Sequence, residues 1–445
     1  MKIVLISTYE LGHQPFGLAS PRAWLTRAGH EVGCVDLAVE ALPEGSVLEA
    51  DLIAFYLPMH TATRLALPVI ERARQLNPNA RLACYGLYAP INAELLRGLG
   101  VEAIAGGEFE SALVALADGV SVPEISEISL ARQAFLKPER EGLPELGLYA
   151  KLRLNGDSKL VAYTEASRGC KHMCRHCPVT PVYNGVFRIV AREIVLEDIR
   201  QQVAAGAKHV TFGDPDFFNG PTHAMAIVQA LHAEFPGVTY DATIKIEHLR
   251  QHCKLLATLK ETGCLFVTSA VESLEDAVLR KLDKNHTRQD FEETVRDMRE
   301  IGLALQPTFL AFTPWTTMES YRELLRTLAE LDLVEQVAPV QLALRLLITR
   351  GSKLLELEDI RSVVSEFDFK ALTYPWKHAD ASMDAFASQV FRLVSAMQTQ
   401  KRSRSEIFSA VWEAAGAGPL PQFAASPPSA YVDEPWYCCA EPVPV

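Results

Sequence analysis

The stretch Arg168-Gly-Cys-Lys-His-Met-Cys-Arg-His-Cys177 decides the fold class of this chain. It places three cysteines, Cys170, Cys174 and Cys177, within eight residues. Three thiolates at this spacing can hold three irons of a [4Fe–4S] cluster and leave the fourth iron open to a ligand. A structural zinc site is the alternative, with His172 or His176 as its fourth ligand. A disulfide framework is not expected in a long chain without a secretory signal.

The composition is that of a globular protein with more than one domain. The 445 residues are 49% hydrophobic and 22% charged, and a chain of this length folds into two or three domains. A net charge of −12 argues against a nucleic-acid partner, because such proteins present a basic surface. No apolar run reaches the length of about 18 residues that a membrane span needs. A predicted iron–sulfur site favours the reducing cytoplasm.

Short apolar runs alternate with helical segments over residues 1–120. This alternation predicts a doubly wound parallel sheet. His13 follows the first strand and is expected near the carboxyl edge of the sheet, where ligands of such folds bind. The predicted strands are Lys2–Ser7, Glu31–Asp36, Leu52–Tyr56, Arg81–Tyr85 and Val101–Ala105, and the predicted helices are Pro21–Ala28, Arg64–Leu76 and Asn92–Leu99.

A second alternating region covers residues 151–375, after a segment, 121–150, whose prolines and glycines predict a linker. Six strands with crossover helices predict a partial (β/α)6 barrel, with its chemistry at the C-terminal ends of the strands. A C-terminal helix and a Pro-rich tail are predicted for residues 376–445. The six barrel strands are Val161–Glu165, His209–Gly213, Tyr240–Ile246, Cys264–Ala270, Ala304–Ala311 and Val340–Leu347.

The cysteine spacing is similar to that of the radical S-adenosylmethionine (SAM) superfamily. The N-terminal region resembles the cobalamin-binding-like, Rossmann-type domain that precedes many radical SAM barrels. Its loop Tyr9-Glu-Leu-Gly-His-Gln-Pro-Phe-Gly17 lacks the Asp-x-His-x-x-Gly motif that gives cobalt a histidine. The resemblance implies an α/β fold, a [4Fe–4S] cluster, SAM as cofactor, and an electron donor such as flavodoxin or ferredoxin. Bound cobalamin is not expected, and the sheet is interpreted as a scaffold or lid.

The family's SAM contacts can be transferred to two segments of this chain. Phe212-Gly-Asp-Pro-Asp216 stands where relatives bind the methionyl amino group, so Asp214 or Asp216 is implied as its acceptor. Turn aspartates are the alternative for both. Val267–Ser273 resembles the segment whose glutamate binds the ribose hydroxyls of SAM. The resemblance therefore implies Glu272, with the adjacent Ser273, as a cofactor contact.

Two basic residues interrupt apolar strands of the predicted barrel. Lys245 stands where relatives often carry an arginine on the third strand, and Arg345 is likewise a charged residue in an apolar run on the sixth. A charge pointing into a barrel needs a partner. The carboxylate of SAM is one such partner, and a buried salt bridge explains either residue equally well.

The tail carries adjacent thiols, Cys438 and Cys439, after Trp436 and Tyr437. Adjacent Cα atoms lie ~3.8 Å apart, short of the usual disulfide range of about 4.4–6.8 Å. We interpret the pair as a chelator, because soft thiolates select soft metals and metalloids. A disordered terminus is the alternative. The Cys-Cys-Ala-Glu-Pro ending resembles one branch of radical SAM proteins, and one function of that branch is arsinothricin biosynthesis.

That resemblance implies transfer of the 3-amino-3-carboxypropyl group of SAM to trivalent arsenic, such as arsenite or another soft acceptor, held by Cys438 and Cys439 as catalytic residues. A cobalamin-dependent radical methyltransferase or rearrangement enzyme is the alternative. A metalloid-binding or redox-sensing protein is a third possibility, outside enzymology. No residue of the sequence decides which carbon–sulfur bond of SAM is cleaved.

Overall fold

The computed structural model describes residues 1–121, 127–421 and 430–434. The strands are β1 (Lys2–Ser7), β2 (Glu31–Asp36), β3 (Leu52–Tyr56), β4 (Arg81–Tyr85), β5 (Ala103–Gly107), β6 (Ile128–Ser129), β7 (Lys151–Leu154), β8 (Asp157–Thr164), β9 (Ser167–Gly169), β10 (Phe187–Ile189), β11 (His209–Phe212), β12 (Thr239–Thr243), β13 (Cys264–Glu272), β14 (Ala304–Phe309) and β15 (Ala430–Val432).

The α-helices alternate with these strands in both halves of the chain. They are α1 (Phe16–Arg27), α2 (Glu44–Glu49), α3 (His60–Leu76), α4 (Tyr88–Ile91), α5 (Ala93–Gly98), α6 (Glu110–Ala117), α7 (Val179–Tyr183), α8 (Arg192–Ala204), α9 (Pro221–Glu234), α10 (Ile246–Gln251), α11 (Leu256–Glu261), α12 (Asp276–Leu282), α13 (Arg288–Glu300), α14 (Met318–Glu330), α15 (Glu358–Arg361), α16 (Ala381–Thr399) and α17 (Arg404–Ala414). Among the described residues, no helix combines the length and the apolar composition that a membrane crossing requires.

The N-terminal sheet is parallel and has the strand order β2-β1-β3-β4-β5-β6. Helices α1 and α6 bury one face of the sheet and α3 buries the other, so two separate apolar cores flank it. The doubly wound prediction is confirmed. The first four strands have the predicted bounds, and β5 begins two residues later than expected. Strand β6 lies in the segment that was predicted as a linker.

Five parallel strands form the barrel sheet, in the order β14-β13-β12-β11-β8. They curl around an apolar core that helices α8, α9, α13 and α14 cover from outside. The predicted partial barrel is confirmed, but the prediction of a sixth strand at Val340–Leu347 is wrong. Pro339–Leu342 forms a 3-10 turn, because proline supplies no N–H to a ladder. Within the predicted strand, Arg345 forms an isolated parallel bridge with Phe312.

Two antiparallel strands extend the barrel sheet beyond β8. Strand β7 pairs with β8, and β15, from the C-terminal region, pairs with β7. Helices α16 and α17, over the region predicted to be helical, pack on the barrel core. The chain thus returns its C-terminal strand to the edge of the sheet that adjoins the N-terminal region.

Candidate functional site

A large cavity lies between the N-terminal sheet and the barrel. Its volume is about 320 Å³, within the range of small-molecule sites. Residues that follow β1, β3 and β5 form one wall, and the C-terminal ends of the barrel strands form the other. Both walls are carboxyl edges of parallel sheets, the places where α/β proteins bind ligands.

The cysteine loop forms part of the barrel wall. Cys170, Cys174 and Cys177 all line the cavity. Gly169, just before them, has φ +75° and a Cβ there would meet the Tyr183 ring at 2.4 Å, so only glycine suits this turn. Burial raises the pKa of the Cys170 thiol to about 12. A metal that binds these thiols must therefore displace their protons.

These three thiols fit an iron–sulfur cluster. They are soft donors gathered on one short loop and facing one cavity, which is the ligand set that such clusters use. Asn219 makes two hydrogen bonds to the backbone of the loop. Its Oδ1 accepts from the Lys171 amide at 3.2 Å, and its Nδ2 donates to the Gly169 carbonyl at 3.3 Å. No sequence signal indicated Asn219, which lies three residues beyond the segment Phe212–Asp216.

Asp214 and Asp216 have different surroundings. Asp214 lines the cavity, where Ser167 Oγ and the Ala166 amide donate to it at 2.5 and 2.9 Å. Burial raises its pKa to about 7 against the effect of these hydrogen bonds. Asp216 does not line the cavity. Its Oδ2 lies 2.7 Å from His248 Nδ1 and 3.5 Å from Nε2 of His172, which belongs to the cysteine loop.

Burial alone would raise the pKa of Asp216, but the hydrogen bonds from His172 and His248 lower it. The two imidazoles are also within 3.2 Å of each other. These three side chains bring potential ligand atoms within 4.8 Å of one another, and none of the three lines the cavity. Their contacts brace the loop, and of the two aspartates it is Asp214 that lines the cavity.

Glu272 lies at the end of β13 and is 95% buried against the cysteine loop. Its Oε1 is 3.1 Å from His176 Nε2 and 3.4 Å from Lys284 Nζ. Burial opposes its ionisation, but Lys284 and His176 outweigh burial and lower the pKa of Glu272 to about 2. The residue has φ +70°, a strained value for a side chain of this size. A charged carboxylate is thus held beside the cysteines.

The remaining predicted contacts separate into two groups. Lys245 is 94% buried and lines the cavity, with Nζ 3.4 Å from Glu247. Arg345 does not line the cavity, because it pairs with Asp384 at 2.9 Å and lies over the Trp376 ring at 4.0 Å. The salt-bridge alternative accounts for Arg345. Ser273 lines a smaller neighbouring pocket of about 70 Å³.

A buried arginine joins the cysteine loop to the N-terminal sheet. Arg168, two residues before Cys170, pairs with Glu110 at 2.7 Å, Glu108 at 3.5 Å and Glu165 at 2.7 Å. Burial raises the pKa of Glu108 to about 7. Nothing in the sequence pattern indicated this cluster, because its members come from distant segments of the chain.

Aromatic side chains fill the carboxyl edge of the N-terminal sheet. Tyr56 lies so close to Gly17 that a Cβ there would meet its ring at 2.1 Å, and the Tyr85 hydroxyl donates to the Gly17 carbonyl at 2.8 Å. His13 stacks on Tyr163 of β8 with ring centroids 4.6 Å apart, and burial lowers its pKa to about 4. His13 therefore lies at the predicted edge, in contact with the barrel.

The C-terminal segment reaches the same cavity. Tyr431, Val432 and Glu434 line it, and Tyr9 donates a short hydrogen bond to Glu434. A Cβ on Gly12 would meet the Glu434 Cβ at 2.9 Å. The predicted catalytic thiols, Cys438 and Cys439, lie outside the described residues, as do their aromatic neighbours.

Residues 164–330 match the family model of the radical SAM superfamily. The match spans strands β9 to β14 and includes all three clustered cysteines. The chain therefore contains a radical SAM domain, and this domain implies a [4Fe–4S] cluster and SAM.

Similar proteins with curated names share low identity with this chain. The ribosomal protein uS12 methylthiotransferase of Geobacter sulfurreducens is 25% identical over 187 residues, which are 40% of this chain and 42% of that protein. The hopanoid C-3 methylase of Methylococcus capsulatus is 24% identical over 320 residues, 68% of this chain and 62% of that protein. The chain thus spans less than two thirds of the length of either relative.

Two solved structures share the fold over most of the chain. The cobalamin-dependent radical enzyme OxsB with aqua-cobalamin has a TM-score of 0.66 at 13% identity, covering 88% of this chain and 66% of that one. TsrM from Kitasatospora setae, a radical SAM methyltransferase solved with tryptophan and a SAM analogue, has a TM-score of 0.57 at 17% identity, covering 75% and 72%. At these identities the likeness shows the fold alone.

Proposed function

We propose that this protein cleaves SAM reductively and transfers its 3-amino-3-carboxypropyl group to trivalent arsenic held by Cys438 and Cys439. The observation that carries the proposal is the position of the C-terminal strand. Strand β15 pairs with β7, and Glu434, two residues further, lines the cavity that Cys170, Cys174 and Cys177 also line.

Covalent geometry limits how far the thiols can lie from this point. Cys438 is four residues after Glu434, and an extended chain advances at most about 3.3–3.6 Å per residue. Four extended residues span at most about 14 Å, a length comparable to the dimensions of a small-molecule site. The described end of the C-terminal segment is held by two contacts: Arg153 pairs with Asp433 at 2.8 Å, and the Arg404 guanidinium lies 4.8 Å from the Tyr431 ring centre.

The cavity residues would bind SAM at the cysteine loop. A bound [4Fe–4S] cluster, held by the three cysteines, would supply the electron for cleavage of a carbon–sulfur bond. Asp214 would accept from the amino group of SAM, and Lys245 would pair with its carboxylate. Glu272, held ionised by Lys284 and His176, would accept from the ribose hydroxyls. An electron donor such as flavodoxin or ferredoxin would approach on the exposed side of this loop, near Lys171.

The acceptor is assigned from the chemistry of the tail. Two adjacent thiols offer soft ligands to a soft centre, and trivalent arsenic is such a centre. Holding arsenic on the tail would convert an encounter in solution into a positioned reaction.

A cobalamin-dependent methyltransferase is the second candidate, and the likeness to OxsB and TsrM favours it. The loop after β1 lacks the Asp-x-His-x-x-Gly motif, and on this ground we keep the proposal that cobalamin is not bound. Tyr56 and Tyr85 pack over Gly17 at the carboxyl edge of the sheet, and the His13 ring is stacked on Tyr163. We therefore propose that this sheet serves as a wall of the cavity and as a support for the tail.

The tail variants test the proposal. The double variant Cys438→Ser with Cys439→Ser should retain its iron content and SAM affinity and lose transfer to arsenic, because hydroxyls are hard and poorly ionised ligands. Cys253→Ser, which changes an exposed thiol outside the cavity, is the matched control. Deletion of residues 435–445 leaves β15 and Glu434 in place and should have the same effect. Wild-type transfer by the shortened chain would refute the role of the tail.

A further inference from the structure

Arg404, at the start of α17, is a cation in the cavity wall that no neighbouring carboxylate neutralises. In the described part of the chain, four lysine and arginine side chains line the cavity. Three of them form ion pairs at 2.7 to 3.5 Å, namely Lys245 with Glu247, Lys284 with Glu272, and Arg168 with three glutamates. Arg404 has no such partner among the described residues, so its charge is left for a ligand.

The contacts of Arg404 hold it in place without neutralising it. Its Nη1 donates to the Glu335 carbonyl at 2.8 Å, and its guanidinium lies 4.8 Å from the centre of the Tyr431 ring. A carbonyl and an aromatic ring carry no net charge. Burial lowers the pKa of Arg404, while Tyr431 and the more distant Glu335 carboxylate raise it. An arginine stays protonated in proteins, and a partly buried charge is costly without a counter-ion.

Unsatisfied polar atoms lie in the same part of the cavity wall. Gln336, which follows the residue that Arg404 contacts, lines the cavity, and its Oε1 has no hydrogen-bond partner among the described residues. Thr308 of β14 also lines the cavity, is 7% exposed, and has an unpartnered Oγ1. Gln306, on the same face of β14, donates to the Ala430 carbonyl at 2.8 Å, beside the ring that Arg404 covers. A cation, an amide and a hydroxyl therefore face one region of the cavity.

This region lies deeper in the barrel than the residues proposed for SAM. Phe309, three residues after Gln306 on β14, is the register partner of Glu272. Three residues of a strand advance about 10 Å, so Gln306 lies about that far from the level of Glu272, away from the C-terminal ends of the strands. The carboxylate of SAM is assigned to Lys245, and arsenous acid is uncharged at neutral pH. Neither supplies the anion that Arg404 lacks.

We infer that Arg404, with Gln336 and Thr308, binds the carboxylate of a small organic acid that occupies the cavity together with SAM. A guanidinium offers two parallel N–H donors to the two oxygens of a carboxylate. The Gln336 amide and the Thr308 hydroxyl each provide a further donor. The inference goes beyond the proposed function, and it uses neither the tail nor arsenic.

The test measures binding to cluster-loaded full-length protein that is saturated with SAM and kept without reductant. The probes are butyrate and 2-aminobutyrate, with butyramide as the uncharged control, and ligand-observed NMR gives their dissociation constants. Butyramide should bind at least about tenfold more weakly than butyrate, because it forms no charge-assisted hydrogen bond. Arg404→Met should weaken butyrate binding by the same factor, and Arg404→Lys should recover part of it. Thr308→Val should weaken binding a few-fold. Arg402→Met, at an exposed arginine two residues earlier, should bind like wild type.

Decarboxylated SAM separates the two possible sources of the carboxylate. Lys245→Met should lower the affinity for SAM and leave that for decarboxylated SAM unchanged, whereas Arg404→Met should bind both like wild type. A loss of SAM affinity in Arg404→Met that decarboxylated SAM does not share would assign Arg404 to SAM and overturn the inference. Equal binding of butyrate and butyramide, or binding of neither acid by wild type, would also overturn it. Unchanged cluster absorbance and thermal unfolding show that each variant is folded.

Discussion

The Tyr9 hydroxyl donates a hydrogen bond to Glu434, which joins the first loop of the N-terminal sheet to the last described residues of the chain. The two residues are 425 positions apart in sequence. This contact holds the described end of the C-terminal segment against the N-terminal sheet. The N-terminal sheet, which has its own apolar cores, thereby contributes to the cavity of the radical SAM domain.

Gly12 offers a way to disturb this contact without touching the barrel. Gly12→Ala would place a Cβ 2.9 Å from the Glu434 Cβ, at φ +69°. We expect the tail to be displaced, so that transfer to the acceptor falls at least about tenfold while SAM affinity stays within about twofold, the two effects being about 1.4 and 0.4 kcal/mol. Gly29→Ala, which also has positive φ but open space around it, controls for backbone strain. Equal effects of both variants would show that backbone strain, and not the contact with Glu434, causes the loss of transfer.

The clustered cysteines provide the second prediction. Cys170→Ala, Cys174→Ala or Cys177→Ala should each abolish the brown colour, the iron content of about four atoms per chain and SAM cleavage, because three thiolates hold the cluster. Iron analysis and the visible spectrum of anaerobic protein measure this. Cys84→Ala, at a buried thiol of the N-terminal sheet, should retain the cluster. A colourless wild type that binds one zinc ion would contradict the assignment.

Glu272 provides a test of the SAM site. Glu272→Gln removes the charge that Lys284 and His176 hold in place. SAM affinity should fall by roughly 1.5–3 kcal/mol, about ten- to a hundredfold, with an unchanged cluster spectrum. Glu275→Gln, three residues further along the chain, is the control. Calorimetric titration with SAM measures the difference, and equal affinity of the Glu272 variant and wild type would show that another residue binds the ribose.

Asp214 predicts a pH dependence of stability. Burial raises its pKa from 3.8 to about 7 in the folded protein. The folded state therefore binds this proton more tightly than the unfolded state, and the resulting stability is complete below about pH 4 and is lost as the pH rises through about 7. Asp214→Asn cannot ionise, so the stability of wild type relative to this variant should decline from pH 5.5 to pH 8, by about 2 kcal/mol at most. Thermal unfolding at several pH values measures it, and a constant difference would contradict the raised pKa.

Local sequence signals predicted much of the fold and part of the site. Strands such as Lys2–Ser7 and Leu52–Tyr56 are buried apolar runs bounded by turn residues, and they have their predicted bounds. The prediction of a sixth barrel strand at Val340–Leu347 was wrong. Pro339 precedes this segment and supplies no N–H to a ladder, and this outweighs the apolar pattern. Lys245 and Glu272, which the sequence indicated as contacts of SAM, both line the cavity, and their role in binding SAM stays a prediction.

The parts that could not be predicted depend on contacts between distant segments. Arg345 has the same sequence signal as Lys245, a charge in an apolar run, yet Asp384 pairs with it outside the cavity. The carboxylates around Arg168 and the contact of Tyr9 with Glu434 likewise join segments that no periodicity relates. Arg404 gave no signal at all, because only the fold shows that it lines the cavity without a carboxylate partner among the described residues.

The most direct test of the central claim is the identity of the nucleoside left after an anaerobic reaction with SAM, arsenite and a low-potential reductant. Loss of the 3-amino-3-carboxypropyl group leaves 5′-methylthioadenosine, cleavage at the ribose carbon leaves 5′-deoxyadenosine, and methyl transfer leaves S-adenosylhomocysteine. The proposed transfer predicts that methylthioadenosine and an arsenic species that carries the amino acid carbon chain form in equal amounts. S-adenosylhomocysteine with methylated product, or deoxyadenosine without an arsenic–carbon bond, would contradict it.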